Sequence, residues 1–159
     1  MATKKTNAAR LLDQSKIAYE LIEYSVDESD LGAEHIAEQL GLPIGQLYKT
    51  LVLRGDRNGL FVCVIPGAEE VDLKKAAKET GNKKCDLIPQ KELLPTTGYI
   101  RGGCSPIGMK KALPTYFDSS IKKHDHIYCS AGQRGLQFRI APDDIIKAAH
   151  GKVCELTVD

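Results

Sequence analysis

Lys49 interrupts an apolar stretch, residues 47–54, that the sequence predicts to be a β-strand. Alternate side chains of an extended chain share a face, so Lys49 lies on the same face as three leucines. An ammonium group that is taken out of water needs a partner or a shifted pKa. Two interpretations follow. The side chain reaches water along its own methylenes, or it meets an anion or a polarised carbonyl in a pocket.

A glycine-rich stretch, residues 97–111, is the second segment suited to a ligand. It contains four glycines and one proline, which is too irregular for a helix or a strand. Loops of this length in compact domains are usually functional. Glycines let the backbone approach a ligand and turn its N–H groups toward a carbonyl oxygen or a phosphate. The segment lacks the Gly-Lys-Ser/Thr of a Walker loop, and a plain turn without a ligand is the alternative interpretation.

The cysteines and histidines do not predict a metal site. Five cysteines form an odd number without a Cys-x-x-Cys pair, and the four histidines are scattered along the chain. Neither a zinc site nor a disulfide framework is expected from such spacing. Cys104 differs from the other cysteines because glycines and a Ser-Pro surround it. A nucleophilic role for it is an alternative, although no histidine lies near it in the sequence.

Length and charge restrict the class of protein. A chain of 159 residues suits a single domain, residues 1–159. The 22 basic and 21 acidic side chains exclude a broad polycationic surface, so RNA would bind through a local patch. The lysine-rich residues 73–84 are the candidate for that patch, with an ordinary solvated face as the alternative. Since no apolar run approaches a membrane span, we expect a cytoplasmic protein without membrane contact.

The hydrophobic pattern predicts several short strands with helices between them. Turn residues join residues 47–53 to 60–65, and residues 126–130 to 136–140, in two probable hairpins. Helices are expected to start near Thr6 or Asn7, at Asp30, at Asp72, at Pro89 and at Pro142. We therefore predict an α+β fold, with a mixed, mostly antiparallel, barrel-like sheet flanked by helices.

Four motifs occur in one order at compatible intervals. They are Leu-Tyr-Lys-Thr-Leu around Lys49, residues 72–76, residues 97–108 and residues 130–136. In these motifs the chain resembles the YbaK family of Cys-tRNA(Pro) deacylases, which is related to the editing insertion of prolyl-tRNA synthetase. The resemblance extends from about Ala9 to the last predicted helix.

The resemblance implies a trans-editing enzyme that needs no metal or other cofactor. In such enzymes the thiol of the bound cysteine is thought to attack its own ester carbonyl and to leave as a thiolactone. The protein then need not supply a nucleophile, which agrees with the lack of a Ser-His-Asp or Cys-His pattern. The implied partners are the 3′ end of mischarged tRNA(Pro) and prolyl-tRNA synthetase in a ternary complex.

The resemblance also assigns roles to residues. Lys49 is the expected catalytic residue, in contact with the ester or the terminal ribose-phosphate. Backbone N–H groups at two glycines and around residues 130–132 are expected to hold the carbonyl oxygen and the terminal adenosine. The expected substrate-binding residues are Tyr24, Thr50, Gly102, Gly103, Ser130 and Gly132.

Three positions depart from the family pattern: Ala131 replaces a glycine, Cys104 an aliphatic residue and Gln137 an acid. These departures bear on which amino acid the enzyme removes from the tRNA, because related enzymes remove alanine from the same tRNA. One alternative is therefore an Ala-tRNA(Pro) hydrolase that activates water. Another is a non-catalytic module that binds tRNA or a synthetase through the lysine-rich residues 73–84.

Overall fold

The structure, a computed structural model, describes residues 5–159. The strands are β1 (Glu20–Glu23), β2 (Tyr48–Gly55), β3 (Gly59–Pro66), β4 (Cys85–Leu87), β5 (Thr115–Asp118), β6 (Ile127–Ser130), β7 (Leu136–Ile140) and β8 (Lys152–Cys154). They form a three-stranded sheet of order β1-β7-β6 and a five-stranded sheet of order β4-β2-β3-β5-β8. The helices are α1 (Asn7–Gln14), α2 (Ala33–Leu40), α3 (Leu73–Glu79), α4 (Leu93–Thr97) and α5 (Pro142–Ala148).

The predicted α+β class with a mixed sheet is confirmed. Most strand pairs are antiparallel, whereas β5 pairs in parallel with both β3 and β8. The two sheets meet through a single parallel bridge between Leu47 and Tyr128, and they do not close into a barrel. The bridge matters for the site because it joins the start of β2 to β6.

The hairpin of β2 and β3 forms the centre of the larger sheet. Its turn is held by the buried Asn82, whose side-chain oxygen accepts hydrogen bonds from the N–H groups of Arg57 and Asn58. Residues 61–65 of β3 are all buried, as their apolar character on both faces predicts. This hairpin gives Lys49 a rigid support.

Capping residues define two of the helices as the sequence predicts. Thr6 Oγ1 accepts from Ala9 N at 3.1 Å to begin α1, and it donates to Ala131 O at 2.6 Å. The Asp72 carboxylate accepts from the N–H groups of Lys74 and Lys75 to begin α3. The cap of α1 therefore also fixes the turn after β6.

Two predicted helix boundaries are wrong. Asp30 does not cap α2, because its carboxylate accepts from Gly32 N and Gly32 itself precedes the helix. The sequence also predicts that Pro95 ends the helix that starts at Pro89, and it does not. It lies in the first turn of α4, where its missing N–H is not needed, and Gly98 ends that helix in the left-handed conformation with φ of 82°.

Three hydrophobic clusters lie beneath these elements. The largest packs α1 and α5 against one face of the small sheet and the Tyr48 and Val52 side of β2. A second packs α3 against the opposite face of the β2–β3 hairpin, and a third packs α2 against Leu47 and Tyr128. Within residues 5–159, no helix is long and apolar enough to cross a bilayer.

Candidate active site

The middle of β2 has a free edge. On one side β2 pairs with β3 over its whole length, but on the other side β4 pairs only with residues 53–55. The Val52 carbonyl points to this second side, where it accepts from Ile88 N at 3.1 Å. Backbone directions alternate in an antiparallel pair, so the N–H and C=O of Thr50 also point to the free edge.

A cavity of about 470 Å³ lies against this free edge. Its walls come from six parts of the chain: residues 47–52, the start of α2, Gly67 after β3, the segment from β4 to α4, the glycine-rich loop, and the adjoining ends of β6 and β7. The site is therefore a gap in a sheet that several distant segments surround. A gap of this kind can accept a small acyl group beside exposed backbone donors.

Lys49 lies in this cavity and is half-buried. Its ammonium makes no hydrogen bond or direct ion pair with another described residue. Burial lowers the pKa of Lys49, and the nearby Glu70 and Glu69 carboxylates partly oppose that lowering. The side chain thus places a partly desolvated positive charge at the wall of the cavity.

The small sheet supplies a polar face to the same cavity. Along β7, Leu136 and Phe138 point into the main core, so Gln137 between them points to the other face. Ser130 is the register partner of Gln137 in β6, and cross-strand partners share a face. Both side chains line the cavity, and Gln137 is only 4% exposed.

The glycine-rich loop closes the cavity because it packs against the turn after β6. Gly102 has φ of 85°, and a Cβ there would approach Leu31 and Arg134 at 3.4 Å. A Cβ on Gly103 would meet Arg134 N at 3.1 Å. Arg134 Nε also donates to Arg101 O at 2.8 Å, which ties the two loops together. Glycine is needed here for close contact between the loops.

Two of the predicted backbone donors are already in use. Gly103 N–H donates to Ile100 O at 2.9 Å, and Gly132 N–H donates to Ser130 Oγ at 3.2 Å. This corrects the expectation that these N–H groups face a ligand. The N–H groups of Gly102 and Thr50 remain as candidate donors, because Gly102 N–H has no backbone acceptor among residues 5–159 and Thr50 N–H points to the free edge of β2.

The predicted site residues therefore separate into two groups. Lys49, Thr50, Gly102 and Ser130 line the cavity, whereas Tyr24, Gly103 and Gly132 do not. Tyr24 packs at the edge of the α2 cluster, and its N–H donates to Gly135 O.

Cys104 lines the cavity but does not have the character of a nucleophile. Burial raises the pKa of its thiol to about 12, although a hydrogen bond with Thr97 acts in the opposite direction. The thiol is therefore protonated near neutral pH, and the thiol form is a poor nucleophile.

The chain is similar to known proteins over most of its length. The family model of the aminoacyl-tRNA editing domain matches residues 28–148, which include the β2–β3 hairpin, the glycine-rich loop and β7. A relative from Enterococcus faecalis is 48% identical over 97% of this chain and 94% of its own length. The chain belongs to the aminoacyl-tRNA editing domain family. The resemblance that the motifs indicated is thereby confirmed.

The members of this family that match the chain include free-standing and inserted domains. The E. faecalis relative bears the provisional name Cys-tRNA(Pro)/Cys-tRNA(Cys) deacylase EbsC. A proline–tRNA ligase of Shouchella clausii is 27% identical over 76% of this chain, which corresponds to 21% of the ligase. A solved structure, provisionally described as a trans-editing enzyme for prolyl-tRNA synthetase, has a TM-score of 0.83 at 24% identity and covers 98% of this chain and 100% of its own. That last likeness concerns the fold.

Several cavity residues of this editing domain were not among the predicted site residues. Gln137 has the signal that revealed Lys49, namely a polar residue within an apolar strand. Ile88, Leu93 and the start of α2 show no such signal, because they are ordinary apolar or small residues. They reach the cavity only through the tertiary fold.

Proposed function

We propose that this chain is a trans-editing deacylase that cleaves the ester of mischarged Cys-tRNA(Pro). The observation that carries the proposal is the half-buried Lys49, which lines the cavity and whose ammonium has no hydrogen bond or direct ion pair among residues 5–159. The provisional name of the E. faecalis relative supports cysteine as the amino acid. A protein that acts on aminoacyl-tRNA works beside the translation machinery, in the cytoplasm.

The proposed reaction uses the substrate's own thiol. The cysteine sulfur attacks the ester carbonyl, so that a C–S bond forms and the bond to the ribose oxygen breaks. The thiol proton ends on that ribose oxygen, and the cysteine leaves as a thiolactone that water later opens. No side chain of the protein forms a covalent bond in this scheme, in agreement with the raised pKa of Cys104.

The role of the protein is to stabilise charge and to orient the ester. As the carbonyl becomes tetrahedral, negative charge develops on its oxygen, and the Lys49 ammonium stabilises that charge in a partly desolvated site. The N–H groups of Gly102 and Thr50 are the proposed backbone donors. Ser130 contributes to the wall that holds the acyl group, and Arg101 at the exposed rim adds a positive charge for the tRNA phosphates.

Tyr24, Gly103 and Gly132 have indirect roles in this proposal. Gly103 and Gly132 keep the two loops in close contact, while Tyr24 supports the α2 wall. We further propose a ternary complex with prolyl-tRNA synthetase. The similarity to a segment of proline–tRNA ligases supports this pairing, since that segment acts beside the same tRNA.

The decisive experiment compares Lys49→Ala with Lys152→Ala. Lys152 is an exposed lysine in β8 of the same sheet, so its variant controls for the loss of a strand lysine. We expect Lys49→Ala to lower kcat/KM for Cys-tRNA(Pro) by about a hundredfold or more, because one electrostatic contact in the transition state is lost. Lys152→Ala should retain full activity, and circular dichroism should show both variants folded. Near-wild-type deacylation by Lys49→Ala would overturn the assignment.

The nucleophile is tested with altered substrates. Ser-tRNA(Pro), Ala-tRNA(Pro) and S-methylcysteinyl-tRNA(Pro) all lack a free thiol, so we expect their deacylation to fall toward the spontaneous rate. Rapid cleavage of Ala-tRNA(Pro) would indicate activated water instead. Binding of charged tRNA without any shortening of its ester lifetime would indicate a non-catalytic module.

A further inference from the structure

Two buried polar atoms in the cavity have no hydrogen-bond partner among residues 5–159. They are Gln137 Oε1 and Thr50 Oγ1, and both residues line the cavity beside Lys49. A buried polar atom without a partner costs on the order of 1–3 kcal/mol, so an unpaired one in a cavity indicates a ligand group. The reaction scheme above uses neither side chain.

The surroundings of Gln137 explain why no protein group satisfies it. Its strand neighbours Leu136 and Phe138 point into the core, and its cross-strand partner Ile22 is apolar. The other cross-strand partner, Ser130, accepts from Gly132 N with its hydroxyl, and that hydroxyl makes no hydrogen bond to Gln137 Oε1. No hydrogen bond joins Gln137 or Thr50 to the Lys49 ammonium. The amide oxygen is therefore buried and unpaired in a residue that lines the cavity.

The chemistry of these atoms selects the ligand group. An amide oxygen only accepts hydrogen bonds, and a threonine hydroxyl can also accept. Two acceptors match a ligand group that carries at least two hydrogens. In a cysteinyl ester the α-amino group carries two or three, whereas the thiol and a ribose hydroxyl carry one each.

We propose that Gln137 Oε1 and Thr50 Oγ1 bind the free α-amino group of the acyl substrate. This proposal rests on the proposed function, and it names the substrate class more narrowly as aminoacyl esters with an unblocked amine. Because the Gln137 side chain is uncharged, it accepts from the amine in either protonation state. Because the oxygen is buried, water does not easily take the place of a missing amine. An ester without an amine therefore leaves the Gln137 oxygen without a hydrogen bond, and the enzyme discriminates against that ester.

The test pairs a variant with a substrate that lacks only the amine. Gln137→Met removes the acceptor at nearly constant volume, and Gln14→Met on the exposed end of α1 is the matched control. The substrates are Cys-tRNA(Pro) and 3-mercaptopropionyl-tRNA(Pro), which keeps the thiol and lacks the amine. The wild-type kcat/KM should be roughly tenfold to a hundredfold lower for the second substrate. Gln137→Met should lose a similar factor with Cys-tRNA(Pro) and little with 3-mercaptopropionyl-tRNA(Pro), while Gln14→Met matches the wild type.

A binding measurement keeps the test independent of catalysis. The probes are 3′-cysteinylamino-3′-deoxyadenosine, whose amide link resists cleavage, and its 3-mercaptopropionyl counterpart, both titrated by calorimetry. The wild type should bind the first more tightly by about tenfold or more, and Gln137→Met and Thr50→Val should each reduce that difference. Equal losses for both probes, or no loss for either, would overturn the proposal. A failed deacylation assay with an intact binding difference would overturn the proposed function alone.

Discussion

At the scale of single residues, the proposed activity depends on the protonation state of Lys49. Burial lowers the pKa of Lys49, while Glu70 and Glu69 on the exposed chain after β3 counteract the lowering. The proposed mechanism needs the ammonium form. That form is present below the lowered pKa and is lost as the pH rises through it, so the acidic neighbours extend the active range toward higher pH.

This arrangement predicts the effect of Glu70→Gln. The Glu70 carboxylate raises the pKa of Lys49 and so counteracts the effect of burial. Without that carboxylate, the pKa of Lys49 falls further. The alkaline limb of the kcat/KM profile for Cys-tRNA(Pro) should then move to lower pH. The measurement is the enzymatic rate against pH after subtraction of spontaneous ester hydrolysis.

The control for this prediction is Glu38→Gln on the exposed side of α2, which makes the same change in net charge. Its profile should coincide with that of the wild type. An unchanged limb in Glu70→Gln, or a limb that moves to higher pH, would show that Glu70 does not act on the Lys49 ammonium.

Some of these residues could be found from the sequence, and others could not. Lys49 was identifiable because a charged residue on an apolar strand face demands compensation. Gln137 has the same kind of signal, but only the structure shows that its oxygen has no partner. The use of the Gly103 and Gly132 N–H groups inside their own turns was not predictable, because it depends on the detailed loop conformation.

At the scale of elements, the cavity exists because β2 lacks a neighbour along its middle. The β2–β3 hairpin follows from local sequence, since turn residues separate two apolar runs. The parallel pairs of β5 and the three-residue strand β4 do not, because they join segments that are distant in the sequence. The sequence thus predicted the strand that carries Lys49 and missed the gap beside it.

The contact between the two loops predicts the effect of Gly103→Ala. The added Cβ would press on Arg134 N at 3.1 Å and on Gln133 Cα at 3.2 Å, both backbone atoms that cannot rotate away. The loops must separate, which should cost about 1–3 kcal/mol of stability. Because Gly102 lies on one of these loops and Ser130 directly precedes the other, kcat/KM for Cys-tRNA(Pro) should also fall, by up to about a hundredfold.

The matched control is Gly45→Ala, since a Cβ at Gly45 meets nothing within 4 Å and its φ lies outside the left-handed region. Thermal denaturation and deacylation kinetics should separate the two variants. If both variants unfold at the same temperature with the same kcat/KM, close loop contact is not required for the site.

At the scale of the whole molecule, the charge distribution is unsuited to tight binding of RNA. The net charge is only +1, and acidic Glu69 and Glu70 lie close to Lys49. In the lysine-rich residues 73–84, Lys75 is already engaged with Thr157 O and Asp159. With a net charge so close to zero, phosphate contacts are confined to a local patch such as this segment, and binding of free tRNA should depend only weakly on salt.

The size of the cavity limits what this domain can recognise alone. A cavity of about 470 Å³ has room for an acyl group and part of a terminal adenosine, and all tRNAs share that adenosine. The isolated protein should thus deacylate Cys-tRNA(Pro) and Cys-tRNA(Cys) with kcat/KM values within a few fold of each other. Addition of prolyl-tRNA synthetase should favour Cys-tRNA(Pro), because a partner that holds both tRNA and enzyme raises the effective concentration of the correct ester.

The measurement is the ratio of kcat/KM for Cys-tRNA(Pro) to kcat/KM for Cys-tRNA(Cys), in parallel assays with prolyl- or cysteinyl-tRNA synthetase. A strong preference for Cys-tRNA(Pro) by the isolated protein would instead place tRNA recognition on its own surface, where Lys74 and Lys78 of α3 are the first residues to replace.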